Sequence, residues 1–342
     1  MTSREIITRV LNFDNPPRIG FTYSHFQGKS RLADTAGVGP KADPEFEEKR
    51  WFDDRGGEQW TDEWGCTWRR IVGRTIGGEV VDPPIRTWDD LDTYQPPSLD
   101  DPARYEQGPE VREKYADKYL LGGITGACFN RARYLRTFEG YLQDCAGEPE
   151  MIERLNRMVS DIVLAQVDIY GDIGCDGVSF CEDWGTQERL LVSPKMWDRM
   201  FKWTFERLIE RAHKRNMTVW MHSCGYVRDI VPPLVELGMD VFQFDQPEVH
   251  GIDNLADYHG RCSFWLPVDI QKILPMGDEG VIRYRAREYV EKLGTGGGLI
   301  AKDYGDNKSI GADPLWQHWG YEEFKRAGVF DASRSALDAS EL

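Results

Sequence analysis

Apolar residues return along this chain in two rhythms. After Pro149, the side chains Met151, Ile152, Leu155, Met158, Val159, Ile162, Val163 and Val167 recur at three- and four-residue spacing. That period lays one apolar stripe along a helix and predicts a long amphipathic helix whose stripe packs on a core. Elsewhere the apolar residues form short continuous runs, at 120–124, 177–180, 217–221, 241–244, 261–265 and 299–301. Runs of this length, bounded by turn residues, predict buried strands. Helical stretches separate them: from Ser193-Pro194 to about Arg215, over 227–237 closed by Gly238, over 279–293, and from Pro314 onward. Strand and helix in alternation predict a parallel sheet.

The first third of the chain reads differently. Thr2 and Glu5 form a capping-box pattern ahead of Ile6, Ile7, Val10 and Leu11, and Pro16-Pro17-Arg18 ends that helix. Residues 19–21 make a seventh strand, and no stretch identifies itself as an eighth. Asp43-Pro44 predicts the start of a helix. Residues 60–85 hold two extended runs around a glycine-rich turn, which predicts a β-hairpin. Residues 86–118 read as loop with a helix from about Asp101. The expectation is one α/β domain over 1–342, a (β/α)8 TIM barrel with an N-terminal extension and inserted β-hairpin in 1–118 and regular βα units in 119–342, a usual length for this architecture.

Polar groups gather where the apolar runs end. The run at 217–221 leads into His222-Ser223-Cys224-Gly225, and the run at 241–244 into Asp245-Gln246. Residues two apart in an extended segment point to one side, so His222 and Cys224 share a face. Imidazole and thiolate are a common zinc-binding pair. Two ligands do not make a site, and without a third the pair reads as a hydrogen-bonded histidine and an inert thiol. The strand ends of a parallel barrel are where chemistry is placed. On that argument Asp183, Gln187, Gln246, Asp269 and Asp303 are candidate catalytic or substrate-binding residues, and Tyr23, His25 and Asn307 candidate pocket-lining or cofactor-binding ones. Cys181 reads as a small buried hydrophobe, and Cys262 lies at the wrong end of its strand. His213, among Arg211, Lys214 and Arg215, reads as a solvated face, and His250, His259 and His318 as surface or structural. The glycines at 294–298 precede a strand and lack a following GK[ST], so they predict a turn rather than a phosphate loop.

Charge narrows the choice of partner. Lys and Arg total 42 against 58 Asp and Glu, a net charge of −16, which disfavours nucleic acid and anionic membrane. There is no signal-like N-terminus and no membrane-length apolar run. Seven cysteines without a CxxC pattern suit a reduced, cytoplasmic protein.

Taken together, the strand ends CEDWGTQ (181–187), HSCG (222–225), FDQ (244–246) and PVDIQ (267–271), with the closing GGGLIAKDYGDN (296–307), resemble the uroporphyrinogen decarboxylase superfamily. The opening helix with Pro17-Arg18, the Ser193-Pro194 after Gln187 and the Gly238-Met239-Asp240 after HSCG extend the likeness over most of the chain. The resemblance implies a (β/α)8 barrel and one of two chemistries, porphyrinogen decarboxylation or zinc-dependent methyl transfer between a corrinoid protein and a thiol. The decarboxylases carry an arginine-rich N-terminal motif. Here that region reads GFTYSHFQGKSRLAD (20–34), with only Lys29 and Arg31 nearby. The HSCG points to the methyltransferase branch, in which the resemblance makes His222 and Cys224 zinc ligands. That branch supplies a further cysteine from the last strand, where this chain has Ala301-Lys302-Asp303-Tyr304. An acidic residue after the HxC strand can serve instead, which makes Asp245 the third ligand and Asp303 the reserve. The resemblance further implies a small-molecule substrate, opens a corrinoid protein as partner, and leaves a homodimer open as the assembly. The alternatives are a lyase that decarboxylates a small acid other than uroporphyrinogen, and a binding barrel without chemistry.

Overall fold

The computed structural model describes residues 1–73 and 77–330. Twelve strands occur among them: β1 (Gly20–Thr22), β2 (Thr35–Val38), β3 (Arg50–Phe52), β4 (Gly57–Thr61), β5 (Thr67–Ile71), β6 (Glu79–Asp82), β7 (Tyr119–Gly123), β8 (Gly177–Cys181), β9 (Thr218–His222), β10 (Val241–Gln243), β11 (Ser263–Leu266) and β12 (Leu299–Lys302). All six apolar runs after residue 118 are strands, and the run at 19–21 is the seventh. Eight strands form one parallel sheet in the order β1-β12-β11-β10-β9-β8-β7-β2. Helices fill the connections, and the sheet is a nearly closed α/β barrel of the TIM type.

The eighth strand is β2, in the stretch read from sequence as a loop. Its Thr-Ala-Gly-Val buries only Val38, so no apolar run marks it. Its neighbour β1 lies at the other end of the sheet order, and the segment just ahead of β2 joins the two. Tyr23 N–H donates to Leu32 O at 2.9 Å and Asp34 N–H to Phe21 O at 2.7 Å. The Asp34 carboxylate is 1 % exposed and accepts from Phe21 N–H at 2.8 Å and from both arms of Arg18 at 2.6 and 2.7 Å.

Three other expectations need correction. No helix follows Asp43-Pro44. Phe46 N–H donates to Asp43 O at 3.1 Å and Glu45 N–H to the Asp43 side chain at 2.8 Å, which makes a turn. The charged residues around Phe46 offer no apolar stripe for a helix to bury. The inserted hairpin is a four-stranded antiparallel sheet, β3-β4-β5-β6. β3 carries no alternation because all three of its residues are exposed. Residues 74–76, in the glycine-rich turn, lie outside the described residues. Finally, the stretch after Ser193 is two helices, Pro194–Met200 and Lys202–Lys214. They break at Phe201, whose fully buried ring packs on Phe129 and Trp184. The long helix Pro149–Ile173, the N-terminal capping box and the left-handed Gly238 cap are as the pattern predicts.

Two-residue periodicity sorts the barrel. One set of side chains packs outward against the helices, among them Phe21, Leu120, Val178, Val219, Phe242, Phe264 and Leu299. The other set faces the interior. Its lower layer is apolar: Leu121, Trp220, Val241 and Ile300 meet Ile6, Ile7 and Val10 of the helix Ser3–Leu11, which plugs that end. Its upper layer, at the C-terminal strand ends, is mostly polar: Cys181, His222, Gln243 and Lys302, beside Trp265, which pairs in register with Gln243. A barrel closed by a helix below and polar above can hold a ligand only from above.

His213 is not merely solvated. Its Nε2 lies 2.9 Å from Asp240 Oδ2, and the hydrogen bond to that carboxylate raises its pKa above 6.5. A raised folded-state pKa contributes stability below the unfolded value and loses it as pH rises through the folded one. The pair is partly exposed, so His213→Ala is expected to cost under about 1 kcal/mol at about pH 5.5 and nearly nothing at about pH 9. Urea unfolding at the two pH values measures this. Among the described residues, no helix is long and apolar enough to cross a membrane.

Candidate metal centre

Two loops carry the site, and two glycines press them together. After β8, the chain turns through Glu182-Asp183-Trp184-Gly185. After β9, it turns through Ser223-Cys224-Gly225, with Gly225 at φ 73°. A Cβ on Gly225 would sit 2.4 Å from Thr186 O, and one on Gly185 would sit 2.6 Å from Tyr226 N. Only glycine lets the backbones approach that closely. The contact is locked by Tyr226 N–H to Thr186 O at 2.7 Å and Cys224 N–H to Asp183 Oδ1 at 3.0 Å.

That junction brings three donors together. His222 Nε2 lies 3.2 Å from Cys224 Sγ and 3.5 Å from Asp183 Oδ1, and the ligand atoms of all three residues fall within 4.8 Å of one another. Burial, reinforced by the nearby Asp183 and Asp245 carboxylates, pushes the Cys224 thiol well above its ordinary range. A bound cation would favour the thiolate and displace that proton. Imidazole, thiol and carboxylate are a zinc donor set, and three protein ligands leave a fourth position open.

Asp245, the ligand expected from the resemblance, stands elsewhere. It approaches the opposite ring nitrogen, with Oδ2 3.9 Å from His222 Nδ1. Its other oxygen accepts from Lys302 Nζ and from Gln243 Nε2, both at 2.8 Å. One cation on Nε2 cannot also reach a group on the Nδ1 side, because the two nitrogens point away from each other across the ring. Asp183, expected to bind substrate, is the residue that stands with His222 and Cys224 in the donor cluster. Asp303, the expected reserve, lies outside the cluster: it accepts from Ser24 N–H at 3.1 Å and lies 3.7 Å from Arg31.

The remaining candidates hold structure or face solvent. Asp269 is fully buried and accepts from the backbone of Glu248, Gln271 and Lys272, at 3.0, 2.9 and 2.6 Å. Asn307 accepts from Gln317 at 2.6 Å. Tyr23 packs against Tyr321, and burial raises its phenol. His25 is exposed beside Ser30, and Gln187 is exposed on the loop after β8. Gln246 has a buried amide oxygen without a protein partner. None of these six residues lines the main cavity.

That cavity, about 800 Å³, opens from His222 into the barrel mouth. Trp220, Trp265, Gln243, Asp245 and Cys181 form its inner end. Glu63 and Trp64 of the extension, with Arg104 and Arg131, form its outer end. Both arginines are paired, Arg104 to Glu63 at 2.8 Å and Arg131 to Asp62 at 3.2 Å. His222 is the residue shared by the donor cluster and the cavity. Cys181 is exposed to this space rather than buried, and its thiol is pushed up to about 11 by desolvation and neighbouring carboxylates.

Sequence reasoning missed three residues here. Gln243 and Lys302 were masked by their apolar runs, although a polar residue at interior parity, two before Asp245 or at the end of β12, was a readable signal. Glu182 is fully buried and accepts from Cys128 N–H at 2.9 Å and Asn130 N–H at 3.3 Å. Burial pushes its carboxyl up to about 8.

The comparisons agree with this architecture. The family described as Uroporphyrinogen decarboxylase (URO-D) matches residues 71–301. A methyltransferase from Methanosarcina mazei superposes with a TM-score of 0.57 at 16 % identity, covering 77 % of this chain and 76 % of that one. An endo-1,4-β-xylanase from Penicillium canescens follows at TM-score 0.40 and 10 % identity, covering 66 % and 80 %. The curated proteins give no match.

Proposed function

The chain belongs to the uroporphyrinogen decarboxylase family, and within it we propose a methyltransferase that holds zinc on Asp183, His222 and Cys224 and moves a methyl group from a corrinoid protein, or a small methylated compound, to a small thiol. The observation that carries this reading is the convergence of those three donors beside a cavity sized for a small molecule. A zinc ion, when bound, supplies the positive charge that lets a substrate thiol lose its proton near neutral pH.

The chain's own residues do the rest. Asp183 and Cys224 are fixed to one another through the Cys224 N–H bond, so the donor set is assembled before any ligand arrives. Trp220 and Trp265 give the inner cavity apolar walls that exclude water from the acceptor. The corrinoid partner would present its methyl group at the barrel mouth, since the lower end is plugged.

The geometry argues against porphyrinogen decarboxylation. A porphyrinogen with several carboxylates calls for free arginine forks. Arg31 is enclosed by Tyr23, Phe26 and Tyr321, and the two cavity arginines are already paired with carboxylates. Two assays test the proposal side by side. The zinc-loaded protein is expected to demethylate a methylcorrinoid in the presence of small thiols and to leave uroporphyrinogen unchanged. Decarboxylation at an enzymatic rate without methyl transfer would overturn it.

A further inference from the structure

Four side chains form an unbroken chain across the barrel mouth, and three of them have been given no catalytic part. Lys302 Nζ donates to Asp245 Oδ1 at 2.8 Å, and Gln243 Nε2 donates to the same oxygen at 2.8 Å. The amide oxygen of Gln243 meets His222 Nδ1. The residues come from β12, from β10 and the loop that follows it, and from β9, and each takes interior parity. Gln243 pairs in register with His222 on the next strand, so the contact is set by the sheet itself.

The directions of these bonds are forced. A carboxylate only accepts, so the Gln243 side facing Asp245 must be its NH₂. The amide oxygen then faces His222, and an oxygen there requires Nδ1 to be the donor. The neutral imidazole therefore carries its proton on Nδ1 and a lone pair on Nε2. On the other side of the ring Nε2 faces Cys224 Sγ at 3.2 Å, where a protonated thiol can donate to that lone pair, and Asp183 Oδ1 at 3.5 Å, a longer contact than the one Gln243 makes with Nδ1.

From this geometry we infer that Lys302, Asp245 and Gln243 are positioning residues that fix His222 in the Nδ1–H tautomer and aim its Nε2 lone pair at the place shared by Cys224 and Asp183. The inference rests on the zinc reading for its purpose but not for its geometry. Groups that fix the tautomer of a ligating histidine typically contribute about 10–100-fold to metal affinity. Lys302 stands on the last strand, where the resemblance expects a cysteine ligand. Here that strand contributes by anchoring Asp245 instead.

The test is ¹⁵N-detected NMR of the imidazoles in full-length, chelator-treated protein at a pH where histidine is neutral. His222 is expected to show protonated Nδ1 and unprotonated Nε2. A protonated Nε2 in the wild type overturns the inference, and no variant need fold for that result. Gln243→Leu is expected to mix the tautomers and weaken zinc about 10–100-fold. The double variant Gln243→Glu with Asp245→Asn keeps an acceptor for Nδ1 and a donor for that acceptor. It should recover the Nδ1–H signature and most of the zinc affinity. A Gln243→Leu protein with unchanged tautomer and unchanged affinity would also overturn it. If the tautomer is as inferred but no zinc binds, the methyltransferase reading fails while the relay stands. Tight zinc on an Nε2–H ring gives the reverse.

Discussion

Asp34→Ala is expected to destabilise the protein by about 3–5 kcal/mol, the loss typical of removing one partner from a buried ion pair. The carboxylate does two jobs at the barrel seam. It neutralises Arg18, whose side chain is largely buried, and it accepts the Phe21 N–H. Its own backbone links β1 to the segment before β2, which are otherwise not paired as strands. Alanine leaves the Phe21 amide without its acceptor and the largely buried Arg18 guanidinium without its counter-charge, holding only Ile19 O, at the weakest point of the ring. With an unfolding entropy of about 2.1 cal/mol/K per residue, the loss corresponds to a Tm lower by roughly 6 °C for a chain of this size. Asp34→Asn retains an acceptor for Phe21 and should lose less. Urea unfolding of the three proteins measures the order, and an Asp34→Ala protein within about 1 kcal/mol of wild type would show that the seam is held by something else.

The seam also shows where sequence stops being informative. Strands β7 to β12 announce themselves because both faces of a barrel strand are covered, one by helices and one by the interior, so the apolar residues run continuously. β2 sits at the edge of the ring and buries one residue of four, so its sequence looks like loop. The same logic divides the site. His222 and Cys224 were readable as a pair because their spacing alone puts them on one side of an extended segment. The third donor was not. Asp183 and Asp245 both follow strands that neighbour β9, and only the ring orientation of His222 separates them. That orientation depends on Gln243, two residues before Asp245, and on Lys302 from a strand about 60 positions away in sequence. No local pattern encodes such a contact. Conversely, Asp269 shows how a polar strand end can be structural: its carboxylate is used up by three backbone donors.

The second large effect is on metal affinity. His222→Ala and Cys224→Ala are each expected to lower zinc affinity by more than about 100-fold, since each removes a ligand outright from a three-ligand set. Asp183→Ala is expected to weaken zinc more than Asp245→Ala does, because Asp183 faces the Nε2 side and Asp245 the Nδ1 side. None of these side chains belongs to the apolar core, but Asp245→Ala also removes one partner of the buried pair with Lys302, so urea unfolding of that variant accompanies its zinc titration. Equal losses from Asp183→Ala and Asp245→Ala would mean that the ring turns over on binding.

The most direct measurement is X-ray absorption at the zinc edge of wild-type protein purified without chelator. The account predicts one sulfur at about 2.3 Å, from Cys224, with nitrogen and oxygen at about 2.0–2.2 Å from His222, Asp183 and an exchangeable fourth ligand. Zinc bound without sulfur, or a protein that retains no zinc at all, would contradict it.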